Sequence, residues 1–598
     1  MKKDNNSNQS EIIPRLYLKM LPVQIILVII GGVNGIIDNA FAGNLIGQQA
    51  MAVTGLFSPA TNLLMGINAL VFGGAQVLCG KYLGKMMKER TRGIFSLDMI
   101  IMTAISAILL LTCEIFPDSI AYALGARDSL VGELAVYIRG FALSLPFNCL
   151  GTQFTAFLQL EHQEKRSYAA IIAMFVANFL FNWLFVAVFH MGLFGLGLST
   201  SLGNVFFFLI QAVYFLHKDA SIKFSRESIV MSDIKDILIN GLPGAVTQFC
   251  ISLRGIIINA IIRQYVGPDG LAAYSAICSF GGMYWAVPAG VTSSIMVLGS
   301  VYAGEEDRTG LKVLMKTFLK NGIILTVISA FIVSACFYPL TNIFFHDPAS
   351  TVYRMTMIGF IVFPLYSPIS TIAVGFSNYY HCMSYEHIVR VISVSDGIIG
   401  VCLFTLLLAP TMGMNGVWAG QILGCVFCAL LVVLFTLYHN KKPVTNFENF
   451  LCFRQDFGVP DDNRIDITIH NIDEVINLST HIWDFCETHG ISGRRRYCAS
   501  LCTEELAGNI VQHGFRDKKK HSIDIRVSYI NDKIVICFKD DGIPFNPEEA
   551  SHLFGKEEQT NAPDDKTAHN IGLQLVSKMS ESMSYQNTFG LNILTIVV

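Results

Sequence analysis

Between Ser167 and His217 the chain reads SYAAIIAMFVANFLFNWLFVAVFHMGLFGLGLSTSLGNVFFFLIQAVYFLH, without one Asp, Glu, Lys or Arg. A membrane-spanning helix needs about 20 such residues. This stretch therefore predicts two spans joined by a short turn. Similar uncharged runs cover 39–80, 140–160, 271–304, 321–346, 355–385 and 397–440. The 598 residues are 52% hydrophobic and 15% charged, with a mean hydropathy of +0.50. Soluble domains carry about 25% charge, so much of this chain does not face water. A net charge of -3 argues against a nucleic-acid partner. After Asn440 the pattern breaks, and from Arg454 onward no segment is apolar enough to span.

Twelve spans are predicted, near 16–42, 52–80, 94–116, 134–160, 167–189, 192–216, 237–263, 271–300, 313–340, 354–378, 388–410 and 414–438. The loops between them alternate in charge. Lys81, Lys85, Lys88, Arg90 and Arg92 crowd one, and Arg308, Lys312, Lys316 and Lys320 crowd another. The loop at Gly43–Ala50 has no basic residue. Basic loops stay in the cytoplasm, so both termini are expected there, at the plasma membrane, with no cleaved signal peptide. Most of the 15 cysteines lie inside apolar stretches and read as packing. The expected organisation is a tail at 1–15, one six-helix lobe at 16–218, a second at 219–440, a linker at 441–461 and a soluble domain at 462–598.

The two lobes repeat each other. Gly47, Ala52 and Gly84 align with Gly267, Ala272 and Gly304 at one offset, and MGLFG at Met191 aligns with MGMNG at Met412. A repeat of six spans keeps both halves in one orientation. Such parallel repeats suit a carrier that handles its substrate between lobes. The stretches IIDNAFAGNLIGQQAMAVTGL, GAQVLCGKYLG and NFLFNWLFVAVFHMGLFGLGLSTSLG resemble the multidrug and toxic compound extrusion (MATE) family over residues 12–440. The resemblance implies antiport of organic, often cationic, compounds coupled to H⁺ or Na⁺.

Asp38 lies in the first predicted span, where a lone charge costs roughly 2.5–3.5 kcal/mol on insertion scales unless it meets a cavity or partner. By the resemblance it takes part in cation coupling. The same comparison points to Asn178 and Asn182, four residues apart on one helix face, although some relatives carry Asp at the second position. Asp396 is an isolated acid in the eleventh span. It either serves the second lobe or lies near the surface beside Arg390. Arg254 either pairs with a buried acid or reaches toward the membrane surface. Pro288 predicts a kink in the eighth span, and His381–His387 reads as a wet loop.

In the soluble region RIDITIH alternates as a strand, and two helical stretches follow. The second, RRRYCASLCTEELAGNIVQHGF, sets Glu505, Asn509 and His513 at intervals of four, on one face. SIDIRVSYI and KIVICFKDDG read as a hairpin turning at Asn531–Asp532. The second strand ends in Asp540-Asp541-Gly542-Ile543-Pro544. Residues 546–570 form a lid candidate, and Gly572 and Leu573 open a helix whose N–H groups can receive phosphate. Together these motifs resemble the histidine-kinase-like ATPases, above all the anti-sigma-factor serine kinases, and imply an α/β sandwich that binds ATP and Mg²⁺. By that resemblance Glu505 is a general base, Asn509 the Mg²⁺ ligand and Asp540 the partner of the adenine amino group. Gly542 and Pro544 shape the base site, His513 borders the nucleotide, and Gly572 and Leu573 border the phosphates. The glycine expected before Ile571 is Asn570.

Three functions fit this organisation. One is an ion-coupled exporter whose ATP-binding domain regulates it or signals from it. Another is a membrane-anchored serine kinase acting on a regulatory protein partner, with the carrier half as sensor. The third is a flippase for lipid-linked substrates. The pump-type Gly-x4-Gly-Lys-Ser/Thr loop is absent from the sequence, so transport energy is expected from an ion gradient.

Overall fold

The structure, a computed structural model, describes residues 11–46, 48–124, 126, 129–161, 163–216, 220, 222–440, 446–454, 456–515, 520–544, 574–588 and 590–598. Among the described residues, ten helices are long and apolar enough to cross a membrane. Leu130–Ala142 and Ser144–Leu160 add a span bent by 46°. The 30-residue helix Ile12–Phe41 covers the first predicted span.

Buried small residues let the two halves of the bundle approach closely, as is usual between membrane helices. A Cβ on Gly241 would stand 1.5 Å from the Leu70 carbonyl, and one on Gly74 would stand 1.9 Å from that of Ile237. The repeat-related Gly84 and Gly304 meet each other. A Cβ on Gly84 would lie 2.2 Å from Val301 O, and one on Gly304 2.2 Å from Lys81 O. Gly47, which the repeat aligns with Gly267, lies outside the described residues.

The eighth span is interrupted at Phe280, between Pro268–Ser279 and Gly281–Gly304, and Pro288 lies inside the second of these helices. One expectation needs correction: His381 is not in a wet loop. It is 5% exposed, at the end of the helix Ser367–Cys382, and only His387 of the pair is exposed.

The C-terminal domain is a five-stranded antiparallel sheet of β1 (Arg464–Ile469), β2 (Ile523–Ile530), β3 (Lys533–Asp540), β4 (Ser582–Thr588) and β5 (Leu591–Val597), in the order β1-β2-β3-β5-β4. The hairpin turns at Asn531 and Asp532, both with positive φ (49° and 63°), the conformation such Asn/Asp turns adopt. Alternation along the strands gives the sheet two unlike faces. Ile525, Val527, Ile536, Phe538 and Leu594 pack on the helices Ile472–Thr488 and Gly493–Asn509. Asn471 caps the first of these helices by accepting from Glu474 N at 3.1 Å, and Glu474 returns a bond to His470 N at 2.8 Å.

The polar face of the sheet lies on the membrane bundle, beneath the Gly84–Gly304 contact. From the first half, Leu83 O accepts from Gln586 Nε2 at 2.7 Å and Lys88 Nζ donates to Tyr585 O at 2.8 Å. From the second, Asp307 pairs with Arg526 and, at 3.2 Å, with Lys539, which also pairs with Glu305. Burial opposes ionisation of Asp307, but Arg526 and Lys539 outweigh it and hold its carboxyl well below the usual range. The domain thus grips the same end of both repeats.

Candidate functional site

Asp38, Asn182, Asn178 and Thr200 close a ring of side chains drawn from three helices. Asn182 Nδ2 donates to Asp38 Oδ1 at 2.8 Å, and Thr200 Oγ1 to Asp38 Oδ2 at 3.2 Å. Asn182 Nδ2 also meets Asn178 Oδ1 at 3.1 Å, and Asn178 Nδ2 donates to Thr200 Oγ1 at 3.3 Å. Neutral donors therefore support the carboxylate, and no ion pair to it occurs among the described residues. Asn182 Oδ1 is buried without a hydrogen-bond partner among them. A buried acceptor left open costs about 1–3 kcal/mol. Beside a carboxylate, it is the kind of oxygen that a small hard cation uses. Thr200 was not singled out from the sequence. Its Ser-Thr-Ser context looks like helix packing until the fold sets it across from Asp38.

Asp396 sits in the second half, inside a π-helical turn, Ser395–Ile399. Arg254 Nη1 donates to its main-chain oxygen at 3.0 Å. Arg390, the neighbour considered from sequence, pairs instead with Glu386 at 2.8 Å. Asp396 thus does not join Asp38. A third acid went unnoticed in the sequence. Asp98, 0% exposed, lies in the helix Lys88–Ile115 with neither oxygen bonded among the described residues. Its signal was there to read, as an isolated acid within an apolar span.

In the C-terminal domain the helix that carries Glu505 and Asn509 ends in another π turn, Ile510–Gly514. That turn holds about one residue more than an α-turn, so His513 is rotated out of the α-register expected for it and is exposed. Gly514 O accepts from Ile543 N at 3.0 Å, which joins the helix end to the Asp-Asp-Gly turn. There is no room for a side chain on Gly542, whose Cβ would lie 2.8 Å from Gly514 O. Asp540 is 3% exposed. Its Oδ1 accepts from Gly542 N and from Asn592 Nδ2, each at 2.9 Å, and Oδ2 takes neither bond. Burial pushes its carboxyl up to about 6, against the pull of those two donors. Asn592 was missed because LNILTIVV reads as a plain terminal strand, yet it stands opposite Asp540 across the β3–β5 pair.

Asp541 points to different company. Its Oδ1 meets His521 Nδ1 at 3.1 Å, and its Oδ2 meets Arg15 Nη1 at 3.4 Å, at the start of the first membrane helix. Pro544 is exposed beside the turn. Gly572, Leu573 and the 546–570 segment lie outside the described residues. The residues present fit the base end of a nucleotide: an anchored carboxylate whose Oδ1 is held by Gly542 N and Asn592 and whose second oxygen takes neither bond.

Comparison with known proteins agrees with both halves. The MatE family model matches residues 25–184 and again 243–403, more than half of the chain and once per repeat. The model for the histidine kinase-like ATPase domain matches 472–598. The multidrug export protein MepA of Staphylococcus saprophyticus is 23% identical over 319 residues, covering 53% of this chain and 70% of that protein. The probable multidrug resistance protein NorM of Acinetobacter baylyi is 21% identical over 422 residues, 68% of this chain and 92% of its own. Among solved structures, a MATE protein in complex with MaL6 superposes with a TM-score of 0.67 at 16% identity, over 71% of this chain and 95% of that one. The Vibrio cholerae MATE transporter VcmN, in a mutant form, gives 0.67 at 14% identity, over 74% and 99%. The chain is a multi-pass membrane protein of the MatE family, a transport fold with a histidine kinase-like ATPase domain joined to its C-terminus.

Proposed function

We propose that this protein is a cation-coupled antiporter that exports organic compounds, and that its C-terminal domain binds ATP and regulates the carrier. The observation that carries the transport reading is the ring around Asp38. It holds a carboxylate among neutral donors and leaves Asn182 Oδ1 open beside it. A proton or Na⁺ arriving there neutralises the carboxylate, and its departure restores the charge, so the ring's occupancy can follow the carrier's orientation. Asp396, beside Arg254, is assigned a supporting role in the second lobe.

For the domain, Asp540 accepts the adenine amino group and Asn509 holds Mg²⁺, with Glu505 and His513 nearby on the same helix. Regulation is supported by the contacts of the domain with both repeats and by Asp541, which ties the nucleotide turn to Arg15. The basic loops at this end of the bundle support a cytosolic location for it and for both termini.

The test is accumulation by proteoliposomes under an imposed pH or Na⁺ gradient, with and without ATP. Asp38→Asn is expected to abolish gradient-driven accumulation. Asn509→Ala is expected to leave the gradient's driving force intact and remove the effect of ATP. Accumulation driven by ATP without a gradient would refute the proposal.

A further inference from the structure

The bundle holds a cavity of about 350 Å³ that the Asp38 ring does not reach directly. Its lining includes Gln24, Gln76, Asn148, Thr152 and Gln159 from the first lobe and Ser293 from the second, between walls that include Phe72 and Phe207. None of the described lining residues is Asp, Glu, Lys, Arg or His. Gln24 lies about 18 Å of helix from Ile12, and Asp38 about 39 Å, at 1.5 Å per residue. The cavity therefore sits nearer the C-terminal domain than the acid does.

Its amides are only partly engaged with each other. Gln24 Nε2 donates to Gln159 Oε1 at 2.9 Å, which leaves the Gln24 carbonyl and the Gln159 amino group outside that bond. Gln24, Gln76 and Gln159 are 7%, 3% and 3% exposed. With Asn148 they set four side-chain amides around one space, which offer both donors and acceptors and carry no net charge. An organic cation entering here would lose its water without gaining a counter-charge, a penalty of several kcal/mol. An uncharged molecule with amide, hydroxyl or carbonyl groups loses little and finds matching partners. A relay then leads on to the ion ring: Asn148 Nδ2 donates to Asn204 Oδ1 at 3.0 Å, Asn204 Nδ2 to Thr200 O at 2.9 Å, and Thr200 to Asp38.

We propose that this cavity is the substrate site on the domain-facing side, and that it selects uncharged, hydrogen-bonding organic molecules of small drug size over organic cations. This rests on the carrier reading above and replaces the cationic class that family resemblance implies. The volume lies at the lower end of the range of ligand pockets, about 300–1,000 Å³.

The test uses the purified full-length protein in nanodiscs and a matched pair of probes, chloramphenicol and its deacylated cationic amine, followed by equilibrium dialysis. Chloramphenicol is expected to bind at least about tenfold more tightly than the amine, a gap of about 1.4 kcal/mol. Gln76→Leu should weaken it, and Gln76→Glu, which adds the missing charge, should reverse the preference. Melting temperatures of the variants check that they fold. Equal or tighter binding of the amine to the unaltered protein overturns the assignment. So does failure of both probes to bind at millimolar concentration, or a preference that Gln76→Glu leaves unchanged. Should the carrier reading alone fail, the neutral probe would bind with this preference and yet show no counterflow in proteoliposomes.

Discussion

Asp307→Asn removes one charge from the clasp between the C-terminal domain and the second lobe while keeping the shape of the side chain. Asp307 is 6% exposed at its side chain and faces both Arg526 and Lys539, which are 21% and 13% exposed. Stripping one partner from a buried ion pair costs about 3–5 kcal/mol. Here each cation keeps a second carboxylate, Arg526 with Asp466 at 2.7 Å and Lys539 with Glu305. The loss is therefore smaller, about 2 kcal/mol or roughly 30-fold in the docking equilibrium. The helix at Arg308 should survive, because an asparagine oxygen can still accept from Gly310 N, as Asp307 does at 2.7 Å. Hydrogen–deuterium exchange of the full-length protein reads the effect. Peptides from the loops at 84–88 and 305–309 should exchange faster, while the domain's core strands keep their protection. Combined with Arg526→Leu, the two changes should be non-additive by about 1 kcal/mol. Unchanged exchange in those loops would refute the clasp, and so would full additivity.

Other expectations follow from the nucleotide site and the lobe contact. The Asp540 carboxyl stands at about 6, above its unfolded value, so its contribution to folding is full in acid and is lost as pH rises through about 6. Nucleotide acceptance runs the other way: Oδ1 already accepts from Gly542 N and Asn592 Nδ2, so a proton on Oδ2 removes the oxygen left for the amino group, and ATP affinity by calorimetry should fall about tenfold per pH unit well below 6. Asn592→Leu removes the donor that holds Asp540 Oδ1 and should weaken ATP binding about tenfold, at a stability loss of about 1–3 kcal/mol, measured by thermal shift with and without ATP. Gly304→Leu should prevent the close approach to Lys81, and cysteine-labelling at this end of the bundle should then report an opened state.

Much of the architecture was legible in the residues because the membrane imposes a strong rule: uncharged runs of span length must be helices. The repeat of Gly84 at Gly304 was legible too, but not that the two glycines touch, since a one-dimensional offset carries no axis of symmetry. Asp38, Asn178 and Asn182 were visible as polar residues in apolar helices. Thr200 was not, because a threonine in a span satisfies itself on its own helix and leaves no anomaly. The π turns beside Asn182, at Asp396 and after Asn509 have no sequence signature, though such turns gather at functional positions. The alternation of the strands does not say what covers the sheet's polar face. Only the fold reveals that Arg526 and Lys539 point at acids more than two hundred residues away.

The most direct test of the account compares exchange with accumulation for the same compound. In proteoliposomes, Asp38→Asn should still exchange external for internal substrate at equal concentrations, because the cavity and lobes are intact. It should not concentrate the substrate when a pH or Na⁺ gradient is imposed, whereas the unaltered protein should do both. If Asp38→Asn accumulates substrate against its gradient as the unaltered protein does, cation coupling at the Asp38 ring is contradicted.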